Sequence, residues 1–271
     1  MQNFKLTIAY DGTHYAGWQV QKNAPTVQET IEKVLHRILQ EKVHLIGASR
    51  TDAGVHALGQ VANFKCRGRF ETRPYEDIRE ILLKGLNGLL PCDIRVLKIE
   101  KAPLDFHAQY NAKKKLYRYT IIRTNQVLPQ ERFFVYHYPH PLNVSSMRQA
   151  AKYLVGTHDF ASFQGKSKNG DSPHSGTVPK IPKIRPSLST RRIYRLQILQ
   201  KKDRLIFRIS ANGFLYTMVR TIVGTLLEVG SGKRTPWSFK ELLTHKDRTL
   251  AGTTISAKGL CLLHIIYQKQ R

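Results

Sequence analysis

An α+β fold made of two β-α-β-β-α-β units is predicted by three observations. Runs with an apolar residue at every second position recur along the chain, as in Phe4, Leu6, Ile8 and Tyr10, and that period marks a half-buried strand. Stripes at helical spacing lie between them, as in Val27, Ile31, Val34, Leu35 and Ile38. The order of these segments in the first part of the chain then repeats in the remainder. At 271 residues there is length for one large or two ordinary domains, with ample core.

Residues 4–10 read as the first strand, turned by Asp11-Gly12-Thr13. A polar-aromatic loop with Tyr15, Trp18 and Gln19 follows. Pro25-Thr26 opens a helix, because Thr26 with Glu29 three positions on forms a capping box. Val43, Leu45 and Ile46 lead into a hairpin whose far strand is residues 60–64. A second helix runs from about Tyr75 to Leu86 through Ile78, Ile81 and Leu82, and residues 94–99 form a strand. This is the split pattern of a ferredoxin-like domain.

A boundary fits near Pro103-Leu104-Asp105, giving an N-terminal domain of residues 1–104 and a C-terminal domain of residues 105–271. In the second copy, residues 116–122 are a strand in a basic, aromatic context. Ser145 or Ser146 caps a helix through Met147, Ala150, Ala151 and Leu154, stopped by Gly156. Residues 192–199 and 205–211 alternate as two antiparallel strands. A long helix is expected from about Phe214 to Val229, a short one around Phe239 to Leu243, and a closing strand over residues 260–267. The two antiparallel sheets are expected to join edge to edge. The repeat is one of element order, without convincing residue identity between the halves.

Charge is the outlier in composition. Lys and Arg number 44 against 19 Asp and Glu, a formal balance of +25, which points to a polyanionic partner, nucleic acid first. Residues 164–190 form a basic loop rich in Lys, Gly, Ser and Pro. From Lys180 to Arg204 there are nine Lys or Arg and one acid, Asp203, enough for backbone phosphate contact. No apolar run reaches the length of a membrane helix, and Met1 to Ile8 carries no signal-peptide core. Cys66, Cys92 and Cys261 are few, odd in number and far apart. They fit buried thiols in a reducing cytoplasm, not a zinc site or a disulfide framework.

Candidate chemistry centres on residues 47–57, Gly-Ala-Ser-Arg-Thr-Asp-Ala-Gly-Val-His-Ala. Asp52 sits between Arg50 and a small-residue step, and a carboxylate beside an arginine stays ionised at neutral pH. The alternative is an ordinary Arg-Asp surface turn. In the long helix, Arg220 interrupts an apolar run, with Tyr216, Gly224 and Glu228 on its own stripe. It lies either in water on a polar face or in a recess, where a guanidinium needs an anion such as Asp52. Tyr117 and Tyr119 share one face of their strand, with Arg118 on the other. Such a pair is either core or a stacking surface for RNA bases.

Other signals fail. Gly232-Lys233 lacks the remaining residues of a phosphate loop. His56, His107 and His158 have no partners at metal-ligand spacing and read as hydrogen-bonded turn or core histidines.

Residues 47–57 closely resemble the catalytic motif of the tRNA pseudouridine synthase A family. Residues 10–19 with Thr26-Val27-Gln28-Glu29, residues 105–108 leading to Tyr117-Arg118-Tyr119, residues 156–160, residues 212–226, and Lys246-Asp247-Arg248-Thr249 with Gly259-Leu260 match in the family's order. The resemblance implies the pseudouridine synthase fold and a cytoplasmic homodimer whose basic cleft holds tRNA. It implies conversion of uridine to pseudouridine at positions 38, 39 and 40 of the anticodon arm, without cofactor or metal. Carried over, Asp52 is the nucleophile, Tyr117 stacks on the flipped base, Arg220 pairs with Asp52, and Arg50 contacts the RNA backbone or the base-flipping geometry. Residues 164–190 depart from the family pattern, whose segment is expected to be shorter and to end in Arg-Thr-Ile.

Overall fold

The computed structural model describes residues 1–67, 74–165 and 188–268. Its described residues form β1 (Gln2–Tyr10), α1 (Val27–Leu39), β2 (Ile46–Gly47), β3 (His56–Cys66), α2 (Tyr75–Leu89), β4 (Ile94–Ala102) and β5 (Ala112–Ile122). There follow β6 (Tyr136–His137), α3 (Val144–Lys152), β7 (Gly156–Asp159), β8 (Thr190–Lys201), β9 (Arg204–Ala211), α4 (Met218–Gly230), α5 (Ser238–His245) and β10 (Leu260–Tyr267). They divide into two compact units. Unit 1 holds residues 1–139, 200–208 and 257–271; unit 2 holds residues 140–199 and 209–256. The boundary expected at 104/105 falls inside unit 1.

In unit 1 the strands hydrogen-bond in the order β4-β1-β3-β10-β5, with β2 on β3 and β6 on β5. The alternation in β1 is realised: Phe4, Leu6, Ile8 and Tyr10 are buried. Phe4 is in register with Phe64 of β3, and their rings stack at 5.5 Å. Thr26 caps α1 by accepting from the Glu29 amide, and Gln40 ends it in the left-handed region at φ 58°. Ile31, Leu35 and Leu39 are buried beneath it, while Ile38 meets Gly85 of α2. Asn87 of α2 exchanges two hydrogen bonds with the Val96 backbone, at 2.8 and 2.9 Å. That pins the helix to β4.

Three expectations for this unit are corrected. The strand before the Asp52 hairpin is only two residues long, whereas β3 begins at His56, four residues earlier than the pattern suggested. The edge-to-edge junction is a parallel pair, Cys261 and Leu262 of β10 beside His56 and Ala57 of β3, so the sheet is mixed. Cys92 is exposed; only Cys66 and Cys261 are buried.

Unit 2 is built around α4, whose residues are buried on nearly every side. Phe163 packs between Phe160 and Phe239 at 6.0 and 5.9 Å. Here α3 starts at Val144, because Asn143, not a serine, accepts from the Ser146 amide at 3.0 Å. The long helix starts at Met218, four residues later than expected. Thr217 has φ 55° and cannot continue an α-helix, and the Tyr216 carbonyl accepts from Gly165 instead. The basic loop of residues 164–190 lies largely outside the described residues.

Candidate active site

Asp52 lies in the connection between β2 and β3, which has no ladder of its own and is held by side chains and by the loop after β1. Ala48 N donates to Val61 O at 2.8 Å, carrying the β2–β3 pairing one residue further. Gln60 then takes over: its Oε1 accepts from Ser49 N at 3.2 Å and its Nε2 donates to Ser49 O at 2.6 Å. The Ser49 hydroxyl lies 2.9 Å from the Tyr117 hydroxyl, and Thr51 Oγ1 lies 2.8 Å from that of Tyr10. Lys115 reaches across from β5 and donates to Ala48 O at 2.6 Å. Residues on both sides of Arg50 are therefore fixed, and the fixed chain leads directly into Asp52.

The loop after β1 closes the other side. Trp18 N donates to Thr51 O at 3.0 Å, Gly54 N donates to Tyr15 O at 3.2 Å, and Val55 N turns back to Asp52 O at 3.2 Å. Three glycines permit this contact. A Cβ on Gly12 would overlap Val55 O, one on Gly17 would press on Thr51 O, and one on Gly47 would strike the Trp18 indole. Two of the sequence motifs are thus two halves of one tightly packed backbone junction.

His56 anchors the far end. Its Nε2 is 2.8 Å from Phe133 O, and its Nδ1 is 3.1 Å from the Gly12 amide and 3.0 Å from Asp11 Oδ1. The Gly12 amide needs an unprotonated Nδ1, whereas an ion pair with Asp11 needs a protonated one. In either case Nε2 carries a proton and donates to the Phe133 carbonyl. His107 Nδ1 faces the Gln109 and Tyr110 amides, both at 3.3 Å, and His158 Nε2 is 3.2 Å from Val155 O. All three histidines are hydrogen-bonded as the sequence suggested.

Electrostatics follow from burial. Burial raises the Tyr117 hydroxyl well above the usual tyrosine pKa; the Ser49 hydrogen bond opposes this, and the negative charge of Asp52 adds to it. That influence places the Asp52 carboxylate within electrostatic reach of the Tyr117 hydroxyl. Burial raises Tyr10 likewise, against its hydrogen bond to Thr51. Both hydroxyls are neutral at any working pH. Burial also pushes the thiols of Cys66 and Cys261 up to about 11, so neither is a nucleophile at neutral pH.

Of the residues singled out by sequence, Asp52 is half-buried, Arg50 is exposed and Tyr117 is 5% exposed, all in unit 1. Arg220 belongs to unit 2, in the first turn of α4. Its Nε donates to Ile255 O at 2.8 Å. The space that Gly224 leaves on its stripe is taken by the chain at Thr253, whose carbonyl a Cβ there would overlap. Glu228 is paired with Arg234 at 3.0 Å. Tyr10, Gln60, Ser49, Thr51 and Trp18 were not singled out as site residues. One available signal was Gln60, which with Asn63 is one of two amides in a largely apolar strand that enters the core. Among the described residues no cluster of His, Cys, Asp or Glu could hold a metal ion, and no helix is long and apolar enough to cross a membrane.

Comparison with known proteins supplies the remaining context. A tRNA pseudouridine synthase A of Clostridium acetobutylicum is 43% identical over 267 residues, covering 98% of this chain and 100% of the relative. A tRNA pseudouridine synthase A of Thermoanaerobacter sp. (strain X514) is 44% identical over 269 residues, with the same coverage. A tRNA pseudouridine synthase A 2 of Clostridium perfringens is 40% identical over 267 residues, again spanning 98% and 100%. The tRNA pseudouridine synthase family matches residues 6–111 and 150–268, and the chain belongs to that family.

Proposed function

We propose that this chain isomerises uridine to pseudouridine in the anticodon arm of tRNA, at positions 38, 39 and 40, with Asp52 as the nucleophile. The observation that carries the proposal is the fixed loop. Hydrogen bonds immobilise Ser49 and Thr51 and leave Asp52 half-exposed, its charge reaching the Tyr117 hydroxyl, in a chain of this family.

One carboxylate suffices for the chemistry. The N1–C1′ bond breaks, the base turns, C5–C1′ forms, and the proton lost from C5 is balanced by one gained at N1. Asp52 attacks C1′ or C6, or removes a sugar proton, and each route requires the uridine to leave the stack. Tyr117 is assigned the contact with the flipped base. Its hydroxyl is engaged by Ser49, so it offers the ring; at 5% exposure, that ring has to be uncovered before a base can meet it. Arg50, exposed beside the nucleophile, is assigned to the RNA backbone. Arg220 is assigned, on resemblance, as the charge partner that keeps Asp52 ionised.

The order β4-β1-β3, with β2 on β3, is that of a ferredoxin-like unit. We read β10 and β5 as part of its second copy, joined through β10 and β3. A cytoplasmic homodimer is part of the same reading. Carbodiimide mapping of a tRNA transcript incubated with the protein tests the function. New stops at anticodon-arm uridines are expected; their absence would remove the proposal.

A further inference from the structure

Gln60 is fully buried in β3, opposite Ile8 of β1. A buried amide must find partners for its oxygen and its nitrogen. Those of Gln60 are the loop that carries Asp52. Its Oε1 accepts from Ser49 N and its Nε2 donates to Ser49 O, so the side chain pairs with one residue of main chain as a neighbouring strand would. The same pairing fixes the amide's orientation, since Ser49 N can only donate and Ser49 O only accept. The Tyr10 hydroxyl, close enough to Gln60 to feel its amide, lies 2.8 Å from Thr51 Oγ1. Gln60 thus holds Ser49 directly, and Tyr10 beside it holds Thr51.

We propose that Gln60 is a positioning residue for the uridine isomerisation, setting the main chain that aims Asp52. The inference rests on reading Asp52 as the catalytic carboxylate. An apolar side chain at this core position would leave the Ser49 N–H and carbonyl without these partners. What the amide adds is a fixed loop geometry, on which the placement of a reacting group depends.

Gln60→Glu keeps the shape but turns the donor into an acceptor facing Ser49 O. Gln60→Met removes both functions. Single-turnover rates, tRNA affinity and Tm are measured together on wild type, Asp52→Asn and these variants. For Gln60→Glu we expect the rate to fall about 100-fold, the scale of an ångström-level misplacement, with the tRNA Kd within about twofold of wild type. The ratio of variant to wild-type rate should rise as pH falls, because a protonated Glu regains a donor. A merely structural role would lower Tm without this pH response or this split between rate and affinity.

If neither Gln60 variant folds, Tyr10→Phe decides, because it deletes only the hydroxyl that holds Thr51 in the same loop; the rate should fall about tenfold at unchanged Kd. Wild-type rates in the folded Gln60 variants, or in Tyr10→Phe, would overturn the inference while Asp52→Asn stays inactive. Full activity in Asp52→Asn would overturn both this inference and the reading beneath it.

Discussion

The Tyr117 hydroxyl lies 2.9 Å from Ser49 Oγ, three residues before Asp52, inside the buried part of unit 1. That hydrogen bond ties the basic, aromatic strand β5 to the Asp52 loop between β2 and β3. It also separates two roles for the tyrosine, since the hydroxyl serves the loop and the ring is left for the base.

Tyr117→Phe should therefore keep most of its activity. Losing one neutral hydrogen bond costs about 1 kcal/mol, so we expect a rate loss of no more than about fivefold and a small drop in Tm. Ser49→Ala should cost stability at least as much, because it leaves the buried Tyr117 hydroxyl without this partner. Single-turnover kinetics and thermal melts on the two variants check both statements.

Gly17→Ala should be far more damaging than its chemistry suggests. Gly17 has φ +102°, and a Cβ there would sit 2.5 Å from Thr51 O and 3.1 Å from the Asp52 carbonyl carbon. Strain and displacement together should cost about 1–3 kcal/mol of stability and shift the Asp52 loop. Gly88→Ala is the control, in α2 with nothing within 4 Å of the added carbon. It should stabilise by about 0.5–1 kcal/mol with activity unchanged. Urea unfolding of both variants separates the two outcomes.

Much of this site was legible in the sequence, though unevenly. The strand period of residues 4–10 and the cap at Thr26 report local physics, and both elements form as expected. Asp52 and Tyr117 were singled out through motifs, and both fall in unit 1. Gln60, Tyr10 and Trp18 were not singled out, because their partners, the Ser49 main chain, the Thr51 hydroxyl and the Thr51 carbonyl, belong to a distant part of the chain, which no spacing encodes. The start of α4 failed for a related reason. Phe214 and Leu215 continue the apolar period, but the left-handed Thr217 and the Gly165–Tyr216 hydrogen bond override it. The cap of α3 was missed because Asn and Ser are nearly equivalent there.

Asp11 supplies a pH-dependent test of the loop after β1. Burial pushes its carboxyl up, but the Thr13 hydroxyl and amide, together with His56, more than offset this and hold it below the ordinary aspartate range. A group whose folded pKa is depressed contributes stability above its unfolded pKa and loses it as pH falls through the folded value. Asp11→Asn should thus lower Tm by a few degrees at pH 7. The gap should close below about pH 4, the range in which an unfolded aspartate titrates. Thermal melts from pH 3 to 8 check it; a gap that widens on acidification would contradict the assignment.

Asp52 remains the centre of the account, and one comparison tests it most directly. Wild type and Asp52→Asn are each incubated with a uridine-containing tRNA transcript in single turnover, with pseudouridine mapped and tRNA affinity measured on the same preparations. We expect anticodon-arm pseudouridine from wild type and none from Asp52→Asn, at closely similar tRNA affinity. Turnover retained in the folded Asn variant would contradict the account.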